Sequence, residues 1–428
     1  MGKRTYSATF VNDIDLEGLI ARAKEFSRFF VCLDIAKELD FVCVESECGE
    51  RLGLWKFEKP RDLPKFLELV EALPGEVEIV MEPSGTYGDS VRATLQARGF
   101  EVYQIDGKQV HDVRGVFDKA RGMHDAKAAT IIAELHRMGL SEPWRIKDRF
   151  TRQLTAEIKL IEVFKETMER CRGQLEGMLG RYWPKLTSIL TLGSPTQLAL
   201  LSEYGGPEAV ADDPEGAARL LWNASRGALS REKINEVIDS AEQTFGMSMV
   251  DEERNLLQQI AQHFLDARRR AQKIERRIKK LVNRRVELEE LVSVAGAMTA
   301  AILYVDLGAA HQHPAANTYV KAAGMNLWQM QSGKYHGPVH ISKRGPGRVR
   351  KYLWMLALRM IQSDPIVRAW YRSKVRRDGG TTRKAVVAVA RKLLRGLWHV
   401  GRGAEFDARL LFDVPKLERD LGIDLSAA

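Results

Sequence analysis

The chain has 428 residues, a net charge of +9 and a pI of about 9.3. That length supports two or three domains with their own cores, and the charge excess points to a polyanionic partner. No apolar run approaches the roughly eighteen residues of a membrane span. The opening MGKRTYSATFVNDIDLEG lacks the apolar core of a secretory signal, so a cytoplasmic protein is expected.

Residues 1–28 read as an N-terminal extension. FFVCLDIA (29–36), LDFVCVES (39–46) and RLGLWKF (51–57) are rich in β-formers and separated by polar turns. They predict three hairpin-linked strands. A helix follows over about 63–73 and is stopped by Pro74-Gly75. EVEIVMEP (76–83) predicts a fourth strand, 88–98 a helix and FEVYQI (100–105) a fifth strand. Helices are expected at about 107–118 and 125–138. Strands followed by alternating helix and strand imply a layered α/β domain over 29–148.

Four cysteines, Cys32, Cys43, Cys48 and Cys171, form no CxxC pair. They read as reduced thiols without a zinc site.

From about 150 the pattern is helical. Leu154, Ile158, Ile161, Phe164, Met168, Cys171, Leu175 and Met178 recur at steps of three and four. Shorter helices over 183–250 are broken by GSP, YGG and DDPEG. A long helix is predicted over about 251–290. Its narrow apolar seam runs through Leu257, Ile260, Phe264, Ala267, Ala271, Ile274, Ile278, Leu281 and Leu288, with Arg285 taking one slot. Heptad spacing of this kind predicts a coiled coil that joins copies into a homodimer or homotetramer. Packing within the same chain is the alternative. Residues 149–290 thus read as a helical linker and coiled-coil region, 291–412 as a compact helical domain and 413–428 as a tail.

Chemistry-bearing residues fall in two groups. Asp34 ends the first strand, Glu82 ends the fourth, and Asp125 begins a helix. Singly, such residues read as turns, caps or helix-dipole partners. Jointly, carboxylates at strand ends can converge on one sheet edge and hold Mg²⁺ or Mn²⁺ for phosphoryl transfer. The second group is basic. Between Lys343 and Arg402 there are 17 Lys and Arg against Asp364 and Asp378 alone, with Trp354, Trp370, Tyr371 and Trp398 interleaved. That imbalance favours phosphate contact.

D-I-x-K at Asp34, E-P-S-G-x-Y-G from Glu82, and Gly-x-x-Asp ending at Asp125 before IIAEL resemble the DEDD transposases of bacterial insertion sequences, insertion-sequence family 110. The resemblance implies a RuvC-like N-terminal domain of ribonuclease H fold. In it Asp34, Glu82 and Asp125 would be the first three catalytic, metal-binding carboxylates. The family has a further Asp three residues after the third acid. Here that position is Ala128, with Ala129 and IIAEL keeping the register. The chain either works with three acids or is silenced there. Asp106 and Asp118 are candidates to compensate.

GMNLWQMQSGKYHGPVHISKRGPGRVRKYL (324–353) resembles the same family's largely α-helical C-terminal transposase domain. Ser332-Gly333 alone is a turn; the resemblance makes Ser332 a nucleophile that forms a transient link to a DNA phosphate. Lys334, Lys343, Arg344, Arg348, Arg350 and Lys351 are then the nucleic-acid contacts. LVSVAGAMTAA (291–301) resembles the hairpin of helix-hairpin-helix units, with Gly296 at the turn. The family further implies donor and target DNA as substrates, a structured guide RNA, and action at the bacterial nucleoid. Two rival functions stand beside this one. A RuvC-like endonuclease would need no serine, and an inactive nucleic-acid-binding relative would explain Ala128. A bare coiled-coil scaffold explains the heptads but neither the acids nor the Ser-Gly segment.

Overall fold

A computed structural model describes residues 6–82, 85–116, 122 and 124–425. It divides into two compact units, Met1–Lys147 and Asp148–Ala428.

The first unit is built on a seven-stranded mixed sheet. Its elements are β1 (Thr9–Phe10), α1 (Leu16–Ala23), β2 (Arg28–Asp34), β3 (Leu39–Ser46), β4 (Arg51–Glu58), α2 (Leu63–Glu71), β5 (Glu76–Met81), α3 (Asp89–Ala97), β6 (Glu101–Gln104), α4 (Gly107–Asp112), α5 (Asp125–Arg137) and β7 (Glu142–Pro143). The strand order is β1-β4-β3-β2-β5-β6-β7. β2, β3 and β4 form an antiparallel meander, and β2, β5 and β6 run parallel.

Alternation in β2 explains why the strand is apolar without a break. Phe29, Val31 and Leu33 pack with Phe57, Phe66 and Leu95 on one face. Phe30 and Cys32 pack with Val80, Ala129 and Ile132 on the other. A strand covered by helices on both sides has no polar side to show. Cys32 lies directly opposite Cys43 in the ladder, and both thiols are free and buried.

Residues 1–28 are more than an extension. β1 pairs in parallel with β4, and Val11, Leu19 and Ala23 are buried in the first core. The helix expected to reach 118 ends at Asp112; residues 117–121 lie outside the described set.

The second unit opens with α6 (Arg149–Tyr182), followed by α7 (Leu186–Ile189), α8 (Pro195–Tyr204), α9 (Pro207–Asp212), α10 (Pro214–Ser225), α11 (Arg231–Glu242) and α12 (Asp251–Val282). Then come α13 (Glu289–Ala295), α14 (Ala297–Leu307), α15 (Ala316–Ala322) and four two-residue strands: β8 (Leu327–Trp328), β9 (Gln331–Ser332), β10 (Tyr335–His336) and β11 (His340–Ile341). It closes with α16 (Gly347–Ser363), α17 (Pro365–Arg377), α18 (Thr382–Val400), α19 (Ala408–Leu411) and α20 (Val414–Leu421).

α6 and α12 pack against each other antiparallel. At one end Leu154, Ile158 and Ile161 share a core with Ala271, Ile274 and Ile278. At the other, Cys171, Leu175 and Leu179 share one with Leu257, Ile260 and Phe264. Arg277 Nη2 reaches Glu157 at 2.8 Å across the pair.

This corrects the expectation of a seam open to another copy. The seam residues are real, but α6 of the same chain fills them. The helix also ends at Val282, not near 290. Arg285, which breaks the heptad, lays its guanidinium over the Phe150 ring, 4.2 Å from the centroid. The boundary expected at 290 falls inside one core, because the α6–α12 end packs with Leu303, Leu353 and Leu393. The expected tail packs there as well, through Leu417 and Leu425.

Because the seam is intramolecular, Ile274→Ala should lower the unfolding free energy by about 2–5 kcal/mol. Urea melts at several protein concentrations check this. The loss should not vary with concentration, whereas a seam between copies would make it concentration-dependent.

Candidate active site

The parallel pairing of β2 with β5 brings two acids to one sheet edge. Leu33 stands opposite Met81, and Glu82 N–H donates to Leu33 O at 3.4 Å. Asp34 and Glu82 are the next residues of each strand, so they leave the same edge together. β6 extends the row: Ile105 N–H donates to Met81 O at 3.1 Å. Asp106 follows, and its carboxylate caps α4 by accepting from Lys108 N–H at 3.0 Å. The Glu82 carboxylate lies over Gly107, where an added Cβ would come 2.2 Å from Oε1.

Asp125 reaches the same acidic ground from α5. Burial, then the charges of Glu82, Asp125 and Asp40, raise the Asp34 pKa from 3.8 to about 7. Burial and then Asp106 raise that of Glu82. The three acids singled out in the sequence are thus within electrostatic reach of Asp34 or its neighbour, and Asp106 joins them. Its sequence signal was a strand end followed by Gly107. Asp118 lies outside the described residues.

Local ties hold this edge. Lys59 Nζ donates to Ala36 O at 2.9 Å and to Tyr87 O at 3.3 Å. It also forms an ion pair with buried Asp40 at 2.9 Å. Asp40 in turn accepts from Ala36 N–H at 2.9 Å. One lysine therefore ties the loop after Asp34 to the segment after Glu82. At α5, His124 Nδ1 accepts from Lys127 N–H at 3.3 Å. Buried Lys127 donates a hydrogen bond from Nζ to Gly122 O at 3.0 Å.

Ala128 follows Asp125 by one helical turn and is buried among Phe30, Cys32, Val80 and Val110. Its environment on the core side is apolar.

The donor chemistry of the edge, all carboxylate oxygen, fits a hard divalent cation. Among the described residues, however, no three His, Cys, Asp or Glu side chains stand close enough together to hold one.

A second polar cluster lies in the same unit. His136 Nε2 bonds Glu78 at 2.6 Å and Nδ1 bonds Ser141 Oγ at 2.6 Å. Phe30 and Tyr103 pack on the ring. Burial, opposed by Glu78, lowers the His136 pKa. Sequence reading passed over this group, whose partners lie 58 residues apart.

Ser332 sits at the tip of a β-hairpin in the second unit. It pairs with Tyr335 in register, leaving Gly333 and Lys334 as the two-residue turn. Gly333 has φ +56°, the left-handed conformation that a primed hairpin turn requires at its first central position. Below the tip, β8 pairs with β11. Ser332 is exposed, and among the described residues no side chain hydrogen-bonds its hydroxyl.

The base of the hairpin is a tight crossing. Lys343 N–H donates to Gly324 O at 2.8 Å and Ser342 N–H to Asn326 O at 2.9 Å. Gly324 has φ +67° and meets Arg344 backbone where a Cβ would be 2.8 Å away. Lys343 itself adopts φ +56°, an uncommon state for a side-chain-bearing residue.

The expected phosphate contacts separate by environment. Lys334, Lys343, Arg344 and Lys351 are exposed. Arg348 is instead committed within the fold, to Asp306 at 2.5 Å and Glu162 at 3.0 Å. Arg350 Nη1 donates to Gly345 O at 2.7 Å and Ala323 O at 3.2 Å. These two arginines position the base of the hairpin. The helix-hairpin-helix expectation meets a one-residue link: Gly296, φ +81°, stands between α13 and α14.

Comparisons with known proteins match both units, and the first match runs past Lys147 through α6. Residues 31–184 match a transposase family, the DEDD transposases of IS110. Residues 290–372 match the transposases of the IS116/IS110/IS902 family. An insertion element IS110 uncharacterized 43.6 kDa protein of Streptomyces coelicolor is 23% identical over 362 residues, covering 81% of this chain and 88% of that protein.

Asp34→Asn tests the crowding of acids. As the pH rises above about 4, the unfolded chain loses this proton while the folded chain keeps it until about pH 7. The parent therefore loses stability across that window and stays lowered above it. The variant should be the more stable at pH 8, by on the order of 2–4 kcal/mol, with the difference fading toward pH 4. Metal-free thermal melts across that pH range measure it.

Proposed function

We propose, for a chain that belongs to the IS110 family of transposases by its two matched domains, that it cleaves and rejoins DNA strands through two groups of residues. One is the carboxylate edge of Asp34, Glu82 and Asp125 in a RuvC-like, ribonuclease H-type unit. The other is Ser332, the nucleophile. The observation that carries this reading is the β2–β5 pairing that brings Asp34 and Glu82 to one sheet edge, with the charge of Asp125, at the start of α5, felt at Asp34.

A bound Mg²⁺ or Mn²⁺ would neutralise that edge and supply Lewis-acid stabilisation to a scissile phosphate. The protein's own part is to hold the oxygens there: β2 and β5 fix Asp34 and Glu82, and the α5 N-terminus fixes Asp125. Ser332 Oγ attacks phosphorus and loses its proton as the new Oγ–P bond forms. The P–O bond to the leaving sugar oxygen breaks, and that oxygen takes up a proton. Attack by a sugar hydroxyl of the exchanged strand reverses these steps, releasing Ser332. Because the serine hydroxyl is exposed at a hairpin tip, the base that activates it has room to be brought to it. Lys334, Lys343 and Arg344 lie on or beside the hairpin to offset phosphate charge.

The family reading further carries donor and target DNA as substrates, a structured guide RNA, and a cytoplasmic site of action at the nucleoid. A homodimer or homotetramer would use a surface other than the α12 seam, which α6 covers.

Ser332→Ala should abolish both the covalent protein–DNA adduct and recombinant junctions, while leaving DNA affinity near that of the parent. Junctions made by that variant would move the reading to a metal-dependent endonuclease without serine chemistry.

Ala128 favours a second reading, a silenced relative that binds nucleic acid. Ala128→Asp should raise strand cleavage if the missing carboxylate is the only defect. It should also cost stability, on the order of 1–3 kcal/mol, because the site is apolar and buried. A stable Ala128→Asp protein that still cuts nothing would favour the silenced relative.

A further inference from the structure

The hairpin over 327–341 displays side chains that water alone would not favour. Trp328 is 48% exposed, Met330 63% and Tyr335 58%. A two-stranded hairpin is marginally stable by itself, and this one spends its large apolar groups outward.

The two rings are supported from the hairpin side. Trp328 faces His340 across the β8–β11 ladder, with ring centroids 6.1 Å apart. Tyr335 lies against Gly337, where an added Cβ would meet the ring carbon Cε1 at 3.2 Å and Met330 O at 3.0 Å. A side chain at 337 would displace the ring. Tyr335 stands directly opposite Ser332 in the β9–β10 ladder, and Trp328 stands opposite His340 in the ladder below.

Charge identifies the occupant. From residue 307 through 363 there is no Asp or Glu, while eight Lys and Arg occur; of these, Arg348 is paired with the carboxylates of Asp306 and Glu162. A second copy of this chain would bring like charge, since each carries +9. An anionic partner with flat apolar faces is complementary. Duplex DNA hides those faces in its stack; an unpaired strand offers them.

We propose that this hairpin holds unpaired bases of the DNA strand beside Ser332. Trp328 and Tyr335 stack on bases of one strand, and Lys334 at the turn contacts a phosphate beyond the base on Tyr335. The rings are positioning residues: they fix the strand so that a phosphate lies at the serine. This rests on the reading of Ser332 as the nucleophile.

The test uses the full-length protein and a single-stranded oligodeoxynucleotide carrying 2-aminopurine, with the same sequence as duplex and as RNA. Trp328→Ala and Tyr335→Ala should each weaken single-strand DNA binding about ten-fold and reduce the quenching of 2-aminopurine. Tyr335→Phe should keep both. Duplex affinity should change by less than about two-fold, being set by the basic surface. Equal loss on duplex and single strand, or unchanged quenching, would overturn the proposal. So would a preference for the RNA strand, or a changed light-scattering mass with DNA binding intact. Ser332→Ala should quench as the parent does. Junctions formed by that variant would therefore remove the serine role while leaving stacking in place, and normal quenching by Trp328→Ala would do the converse.

Discussion

The parallel pairing of β2 with β5 is the constraint on which the acidic edge depends. Leu33 opposite Met81 leaves Asp34 and Glu82 as neighbours at the strand ends. Nothing in their own chemistry favours that closeness. The apolar faces of the sheet enforce it: Val31, Leu33, Ile79 and Met81 are fully buried, and a slip of one residue would carry all of them to the opposite face, which Phe30, Cys32 and Val80 already fill. Burial of hydrocarbon thus holds carboxylates in an arrangement that raises Asp34 toward neutrality. A proton on Asp34 relieves that crowding.

The second unit solves a different problem. A hairpin tip must project and yet keep its aim. The α6–α12 pair joins the unit's two cores, and the Gly324–Lys343 crossing fixes where the hairpin leaves the fold. Arg348 and Arg350 brace that crossing through Asp306, Glu162 and backbone carbonyls. Their positive charge is balanced or shared inside the fold, whereas Lys334 and Lys343 keep theirs at the surface.

Much of this was legible from residues alone, and the reason is periodicity. Strands β2 to β6 announced themselves by β-rich runs between polar turns, and α2, α3 and α5 by their stops and caps. Asp34 and Glu82 were visible because strand ends are visible, and Asp125 because it begins a helix. What stayed hidden depends on long-range pairing. The α12 seam carries heptad spacing whether its partner is another copy or α6, and only the fold decides. Residues 9–23 look like an extension because β1 is two residues long and gains meaning only beside β4. Arg348 reads as a phosphate contact because Asp306 and Glu162 lie 42 and 186 residues away. Asp106 was a weak candidate until its strand was seen to lie beside β5.

The hairpin over 327–341 contains an asymmetry with a consequence for its length. Between its two ladders, residues 329–330 face 337–339, two against three. This bulge absorbs an odd residue on the returning side, between the two ladders. Deleting one residue from 329–330 would rotate Ser332 to the opposite face while the ladder below stayed in place. The outgoing strand can therefore lengthen or shorten only in steps of two, whereas the returning strand can take up single residues in the bulge. The reach of the tip and the direction it faces are thereby set on separate strands.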